Sequence, residues 1–452
     1  MAQHAKFSYK TLEELKQDIA RIGVDIPIST DLDVLGQPLV IDGKTVPNRL
    51  AVNPMEGCDG TGDGRPSELT RRRYERFAAG GAGLLWFEAT SVVSDGRANP
   101  RQLMLNAEVK DDYAALLRDA LEAARKAGHP KPYTVVQLNH SGRNSKPAGV
   151  PAPIVAAHNP HLDAKFSSVT VISDAELEAL EETYVAAAEA AADAGFDAVD
   201  IKACHGYLMA ELLGARTRPG PYGGSFENRT RFLCNIVDKV RNKLGNRITL
   251  AVRLGVFDEV PQPYGWGVDK DDYHKPDFTE PVQLIQILWK KGVKLFNISL
   301  GNPYYNPHLT RPCDIGGYVS PFHPLEGIQL LLNAAKVMQA AVPEAAIMGT
   351  GLTWLRQFAP NAAAACVQQG WLKLAGFGRQ AFAYPDFATD LLTKGAFDPR
   401  KVCLACSKCT TIMRDGGCTG CVPRDAAMYV PIYQKGREGK PPADSDRVAE
   451  HI

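Results

Sequence analysis

The chain lacks an excess of charge of either sign: Lys+Arg and Asp+Glu both number 51 in 452 residues. A neutral chain carries no electrostatic footprint for nucleic acid or a membrane surface, and neither is expected as its main partner. No apolar run approaches the ~20 residues that span a bilayer. The N-terminus, MAQHAKFSYKTLEELKQ, lacks the apolar core of a secretory signal. A disulfide framework is missing too. Of ten cysteines, Cys58, Cys204, Cys234, Cys313 and Cys366 stand alone, while the other five crowd between Cys403 and Cys421. In a chain without a signal such a crowd points to metal, and a reducing cytoplasm is the expected compartment. Nor does a GxGxxG turn follow the first expected strand, which argues against an open dinucleotide-binding sheet.

What is present is a long alternation. The apolar fraction of 45% supplies a sizeable core. Residues 1–37 read as a leader with one amphipathic helix, Leu12 to Ile22. Eight strands are then expected at Arg49–Asn53, Gly83–Phe87, Tyr133–Leu138, Ala198–Lys202, Ile248–Arg253, Lys294–Ser299, Ala345–Gly349 and Leu372–Gly376. Helices are expected to begin near Ser67, Asp111, Asp174, Glu227, Glu280, Leu325, Thr353 and Phe387. Strict alternation implies a parallel sheet, and eight repeats imply closure into a (β/α)8 barrel over residues 38–400. Residues 401–425 form a cysteine-rich segment, and 426–452 read as a polar tail with too few apolar residues to pack alone.

The stretch from Asp200 to Arg231 organises the rest. Alternation along its strand points Asp200 and Lys202 one way and Val199 and Ile201 the other. A lysine ending a buried strand, with His205 and Tyr207 close behind, suits a polar site at a barrel mouth better than a core. The bland reading is an ion-paired strand end beside a packed aromatic. Other strand ends also carry polar groups: Glu56, Gln137, Arg253, and the Tyr304–Tyr305 pair. The last two strands end in glycine turns, Gly349–Gly351 and Gly376–Arg379, at the usual phosphate position of this barrel.

The set Asn48-Arg49, Pro54-Met55, Tyr74-Glu75-Arg76-Phe77, Gln137-Leu138, Gly142-Arg143, His205-Gly206-Tyr207-Leu208, Tyr222-Gly223-Gly224-Ser225, Arg253 and Gly378-Arg379 resembles the old yellow enzyme family of FMN-dependent oxidoreductases. More narrowly, it resembles the iron–sulfur branch that includes 2,4-dienoyl-CoA reductase and trimethylamine dehydrogenase. The resemblance implies FMN across the mouth. Gln137 would bond its pyrimidine edge, Arg253 would lie near N1/O2, and Pro54 and Met55 would pass under the ring. Gly349, Gly351, Gly378 and Arg379 would hold the phosphate. Tyr207 would protonate one alkene carbon while hydride leaves flavin N5 for the other, and Lys202 and His205 would donate to the substrate's carbonyl oxygen. Two positions depart from the pattern. Lys202 stands where many relatives carry histidine, which implies an anionic or strongly polarised substrate group. Glu56 stands where relatives often carry threonine or cysteine; it would act as a base or neutralise Lys202. Glu56, Tyr304 and Tyr305 are the expected substrate contacts.

Four thiolates from one local segment suit a [4Fe-4S] cluster; the resemblance implies Cys403, Cys406, Cys409 and Cys421 as its ligands, through Cys421-Val422-Pro423-Arg424, with Cys418 the spare. A four-cysteine zinc knuckle is the structural alternative. Relatives of the branch often continue into a half that binds FAD and a nicotinamide. The expectation here is a separate electron donor, such as a ferredoxin, a flavoprotein or a reductase subunit. Reduction of an activated C=C bond is the leading activity. Amine oxidation and a non-catalytic electron carrier are the alternatives, and homo-oligomerisation is left open.

Overall fold

The structure is a computed structural model that describes residues 5–439. Eight parallel strands close a barrel: Leu50–Val52, Leu84–Ser91, Tyr133–Asn139, Ala198–Ile201, Thr249–Gly255, Val293–Ser299, Ala346–Gly349 and Leu374–Phe377. Each pairs with the next in sequence, and the last returns to the first through Ala375 opposite Leu50 and Phe377 opposite Val52. All eight expected strands form, within a residue or two at most ends. The strands are buried on both faces, as sheets covered by crossover helices must be.

The two faces have different jobs. Outward residues such as Val199, Ile201, Val252, Ile298 and Phe377 pack against the helices in the main core. Inward residues near the strand starts, among them Ala51, Trp86, Val135, Ala251 and Leu374, form a separate core inside the barrel. A hairpin, Leu39–Ile41 paired with Lys44–Val46, had no clear sequence signal. It places Ile41 and Val46 into that inner core. It is tied to the strand starts by Thr249 Oγ1 donating to Asp42 at 3.0 Å and Lys44 Nζ donating to the Asp197 carbonyl at 2.9 Å. The barrel floor is therefore sealed.

The helix Asp174–Ala194 starts and stops where its residues dictate. Ser173 and Glu176 form a capping box, and Gly195 takes the left-handed φ of 95° that ends the helix. The segment after the seventh strand differs from expectation. It opens as a 3₁₀ helix, Leu352–Phe358, broken at Arg356 (φ 50°), before the α-helix Ala359–Gln368. Arg356 is drawn out of the helix by Asp314 (2.5 Å) and the Leu404 carbonyl (3.3 Å).

The cysteine segment folds back beside the mouth. Thr419 N donates to the Gly57 carbonyl at 2.6 Å, and Asp425 accepts from Arg72 and Arg76. The region read as a polar tail begins with a helix, Ala426–Arg437. Its Tyr429 and Ile432 are buried with Leu69, Ile412 and Cys418. They are too few to pack alone, but the cysteine segment supplies Ile412, Cys418 and Val422 and a barrel helix supplies Leu69. Residues 440–452 of that segment lie outside the described residues.

Candidate active site

At the top of the barrel the inward positions turn polar. Asp200 is fully buried and ties three elements together. It accepts from Gln137 Nε2 at 2.6 Å, Trp86 Nε1 at 2.9 Å and the Arg253 backbone N–H at 2.6 Å. Burial pushes its carboxyl up to about 6, although these donors hold it down. The bond fixes Gln137 with its amide nitrogen towards Asp200 and its carbonyl oxygen turned away. A register shift between Trp86 and Ala89 takes Glu88 off the inward face and puts Ala89 on the mouth lining instead. Glu88 faces Arg73 at 2.7 Å.

One wall of the mouth carries the reactive groups. Tyr207 Oη donates to Glu56 Oε1 at 3.1 Å and pairs with Tyr304 Oη at 2.9 Å. Lys202 Nζ lies 3.9 Å from Glu56 Oε1 and 3.7 Å from the centre of the Tyr207 ring. Burial pulls the Lys202 ammonium down to about 8, against the opposing pull of Glu56. His205 Nε2 meets Ser299 Oγ at 2.8 Å. Burial, then the charges of Arg253 and Lys202, hold its pKa well below the usual histidine value, so the ring is neutral. Its backbone sits at φ 68°, a left-handed position uncommon outside glycine.

The cavity is also cationic. Arg253, Arg311 and Arg379 all line it. Three guanidinium groups around one cavity give it a positive field that suits an anion. Gly378 lies close to Met55, whose Sδ would be 2.8 Å from a Cβ added there. Arg311 and Arg414 are additions to the expected set. Arg311 follows a short helix, Pro307–Thr310, and Arg414 ends the helix Lys408–Arg414 of the cysteine segment. Neither follows a barrel strand directly, so no local pattern pointed to them.

The cavity thus gathers Pro54, Met55, Glu56 and Gln137, then Lys202, His205, Tyr207 and Arg253, and finally Tyr304, Gly351, Gly378 and Arg379. Gly349 and Tyr305 are not on its lining. Gly349 is within a strand, where a Cβ would press on Leu372 at 2.5 Å. The Tyr305 ring lies under Lys165 Nζ at 5.6 Å.

Cys403, Cys406, Cys409 and Cys421 line a second, smaller cavity, together with Arg379. Cys418 is elsewhere, packed among Leu69, Val422 and Tyr429. Among the described residues no three His, Cys, Asp or Glu side chains converge on a single ion; the four thiols are spread around the cavity wall. Burial pushes the Cys403 thiol up to about 11. Arg379 belongs to both cavities, and the helix Lys408–Arg414 presents Cys409 to one and Thr410, Met413 and Arg414 to the other.

Fold and mouth define a class, the parallel-barrel oxidoreductases that work with a flavin. Within it, residues 34–270 match the NADH:flavin oxidoreductase / NADH oxidase family, and the chain belongs to that family as an FMN-dependent oxidoreductase. An NADPH dehydrogenase of Geobacillus sp. is 31% identical over 272 residues, covering 59% of this chain and 73% of that protein. Two solved structures share the fold. A 2-naphthoyl-CoA reductase superposes with a TM-score of 0.71 at 21% identity, covering 91% of this chain and 58% of the other. A histamine dehydrogenase from Rhizobium sp. 4-9 gives 0.65 at 20% identity, covering 86% and 52%. The chain therefore spans little more than half the length of those two proteins. Among the described residues no helix is long and apolar enough to cross a membrane.

Proposed function

We propose that the protein reduces an activated C=C bond in a substrate with a carboxylate, thioester or carbonyl group, using electrons delivered by a separate carrier. The observation that carries this reading is that Tyr207, Lys202 and His205 line the same cavity as Arg253, Arg311 and Arg379. Those arginines fit FMN. Arg311 and Arg379 suit its phosphate, with the turns at Gly351 and Gly378 beside them, and Arg253 suits the electron-rich edge of its ring. Gln137 offers its free carbonyl oxygen to a ring N–H. When bound, FMN supplies hydride chemistry.

The chain's own residues do the rest. Lys202 and His205 hold the polarised substrate oxygen and stabilise charge that builds there. Tyr207 Oη gives a proton to the neighbouring carbon. A fixed ammonium in the same wall opposes a cationic substrate, which weighs against amine oxidation.

Cys403, Cys406, Cys409 and Cys421 are proposed to hold a [4Fe-4S] cluster. Four cysteines lining one small cavity are the ligand set such a cluster takes. The wall shared at Arg379 gives that cluster a short route to the flavin. An acidic electron-carrier protein is the proposed donor. Ile315 and Val319 are exposed, at 57% and 73%, and Ile315 N donates to the Ala405 carbonyl between two of the cysteines. Lys408, Arg414 and Arg424 of the cysteine segment are exposed. Apolar contacts inside a basic rim suit such a partner.

An anaerobic visible spectrum with flavin, iron and acid-labile sulfide assays tests the electron route. FMN with about four iron and four sulfide per chain is the expected result. Zinc without sulfide would sink the relay, and turnover-competent reduction by NADH alone would sink the carrier.

A further inference from the structure

Arg379 and Arg311 stand where the two cavities meet. Arg379 is buried and lines both the flavin cavity and the cysteine cavity. It is fixed by Nη2 donating to the Pro312 carbonyl at 2.7 Å. Arg311 lines the flavin cavity, and its Nη1 donates to Thr410 Oγ1 at 2.7 Å. Thr410 follows Cys409 on the helix Lys408–Arg414. Both guanidinium groups are within electrostatic reach of Cys409, and Arg379 is within reach of Cys403 as well. Burial, then the like charge of Arg379, pull the Arg311 guanidinium below its ordinary value. Two cations packed this way repel each other, and an anion on either side relieves the cost. The phosphate proposed for the flavin cavity is one such anion. The cysteine cavity has room for a second.

We infer that Arg379, assisted by Arg311, sets the reduction potential of the centre held by the four cysteines. The inference rests on the reading of that centre as a [4Fe-4S] cluster. Four thiolates give such a cluster a net negative charge, and a further electron deepens it. A fixed cation beside it favours the reduced form, and surroundings of low dielectric strengthen the effect. The step is a one-electron transfer. The carrier protein is oxidised, the cluster is reduced, and no bond or proton moves. Two such electrons and one solvent proton make up one hydride equivalent at the flavin. The arginines therefore let the cluster take electrons from a carrier that would otherwise be too weak a reductant. Neither guanidinium gains or loses an electron or a proton. Both act on the centre through their charge, and are positioning residues in that sense.

The test is an anaerobic redox titration of the holoenzyme with mediator dyes and dithionite. The reduced cluster is read by its electron paramagnetic resonance signal. Arg379→Gln is expected to lower the potential. At a fixed potential near the wild-type midpoint, the ratio of reduced to oxidised cluster should fall about tenfold or more. Arg379→Lys keeps the charge and is expected to recover most of that ratio, which a loss of packing or of hydrogen bonds alone would not allow. Arg311→Gln is expected to move the potential in the same direction by less, and covers the case in which Arg379→Gln fails to fold. Loss of FMN from a variant would take away a negative phosphate and move the potential upwards, so the sign separates the two effects. A cluster with the wild-type potential in both glutamine variants overturns the inference, as does an Arg379→Lys protein shifted as far as Arg379→Gln. Wild-type protein without iron and sulfide would instead overturn the cluster reading itself.

Discussion

Lys202 shows how burial turns one side chain into a pH-dependent device. Its charge is held 3.9 Å from one carboxylate, and its pKa falls from the ordinary 10.5 to about 8. Between those values the unfolded chain keeps a proton that the folded chain has released. Stability from this group therefore rises with pH through that window. Substrate capture runs the other way. Above about pH 8 the ammonium is lost, and on the proposed role of Lys202 KM for a carboxylate-bearing enone is expected to climb and kcat to fall, together about tenfold in kcat/KM per pH unit. Lys202→Met should show a high KM at every pH. A KM that stays flat to pH 10 in the wild type would remove Lys202 from substrate binding. At Tyr207, replacement by Phe keeps the ring against Lys202 and deletes only the proton. Single-turnover alkene reduction is expected to fall on the order of 10²–10⁴-fold with flavin content unchanged. The inward direction of Lys202 was legible from alternation alone. Alternation alone could not pair it with Glu56, because which carboxylate lies across a barrel mouth is decided by loops.

The loop carrying Glu56 is held by a buried ion cluster. Arg73, on the helix Glu68–Ala79, lies 2.7 Å from both Asp59 and Glu88, and Glu88 accepts from Gly57 N at 2.7 Å. Two carboxylates share one guanidinium, and burial pushes the Glu88 carboxyl up from 4.5 to about 7. A raised carboxyl favours the folded state at low pH, and that contribution fades as pH rises from about 4.5 to 7. Arg73→Ala is expected to cost about 3–5 kcal/mol. Urea midpoints should show the loss smallest near pH 5 and largest above pH 7, where Glu88 is charged. Elements with a strong period were read well. The eight strands are short apolar runs, and the capping box at Ser173 declares its helix outright. The floor hairpin is three residues a side and has no such period. The helix Ala426–Arg437 was missed because its apolar residues complete a core begun by Leu69, more than three hundred residues earlier.

For the whole molecule, the two cavities and their common wall matter most. The cysteine spacing left Cys418 and Cys421 as rivals for a fourth thiolate. The fold separates them, with Cys421 on the cavity and Cys418 in an apolar pack. Cys421→Ser is expected to lose most iron and sulfide, whereas Cys418→Ser should keep both at a modest cost in stability. Equal metal loss in the two variants would refute the assignment. Half of the mouth was legible as strand ends. Arg311 and Arg414 were not, because chain folding delivers them from a short inserted helix and from the cysteine segment.

The hairpin that fills the barrel floor also governs traffic. With Ile41 and Val46 packed into the inner core, small molecules enter and leave by one mouth only. A nicotinamide and a substrate would have to take turns there, and excess substrate would inhibit competitively against the nicotinamide. A donor that delivers electrons on the cysteine side leaves the mouth to the substrate, and that inhibition should be absent. The pattern of substrate inhibition thus reports which door the electrons use.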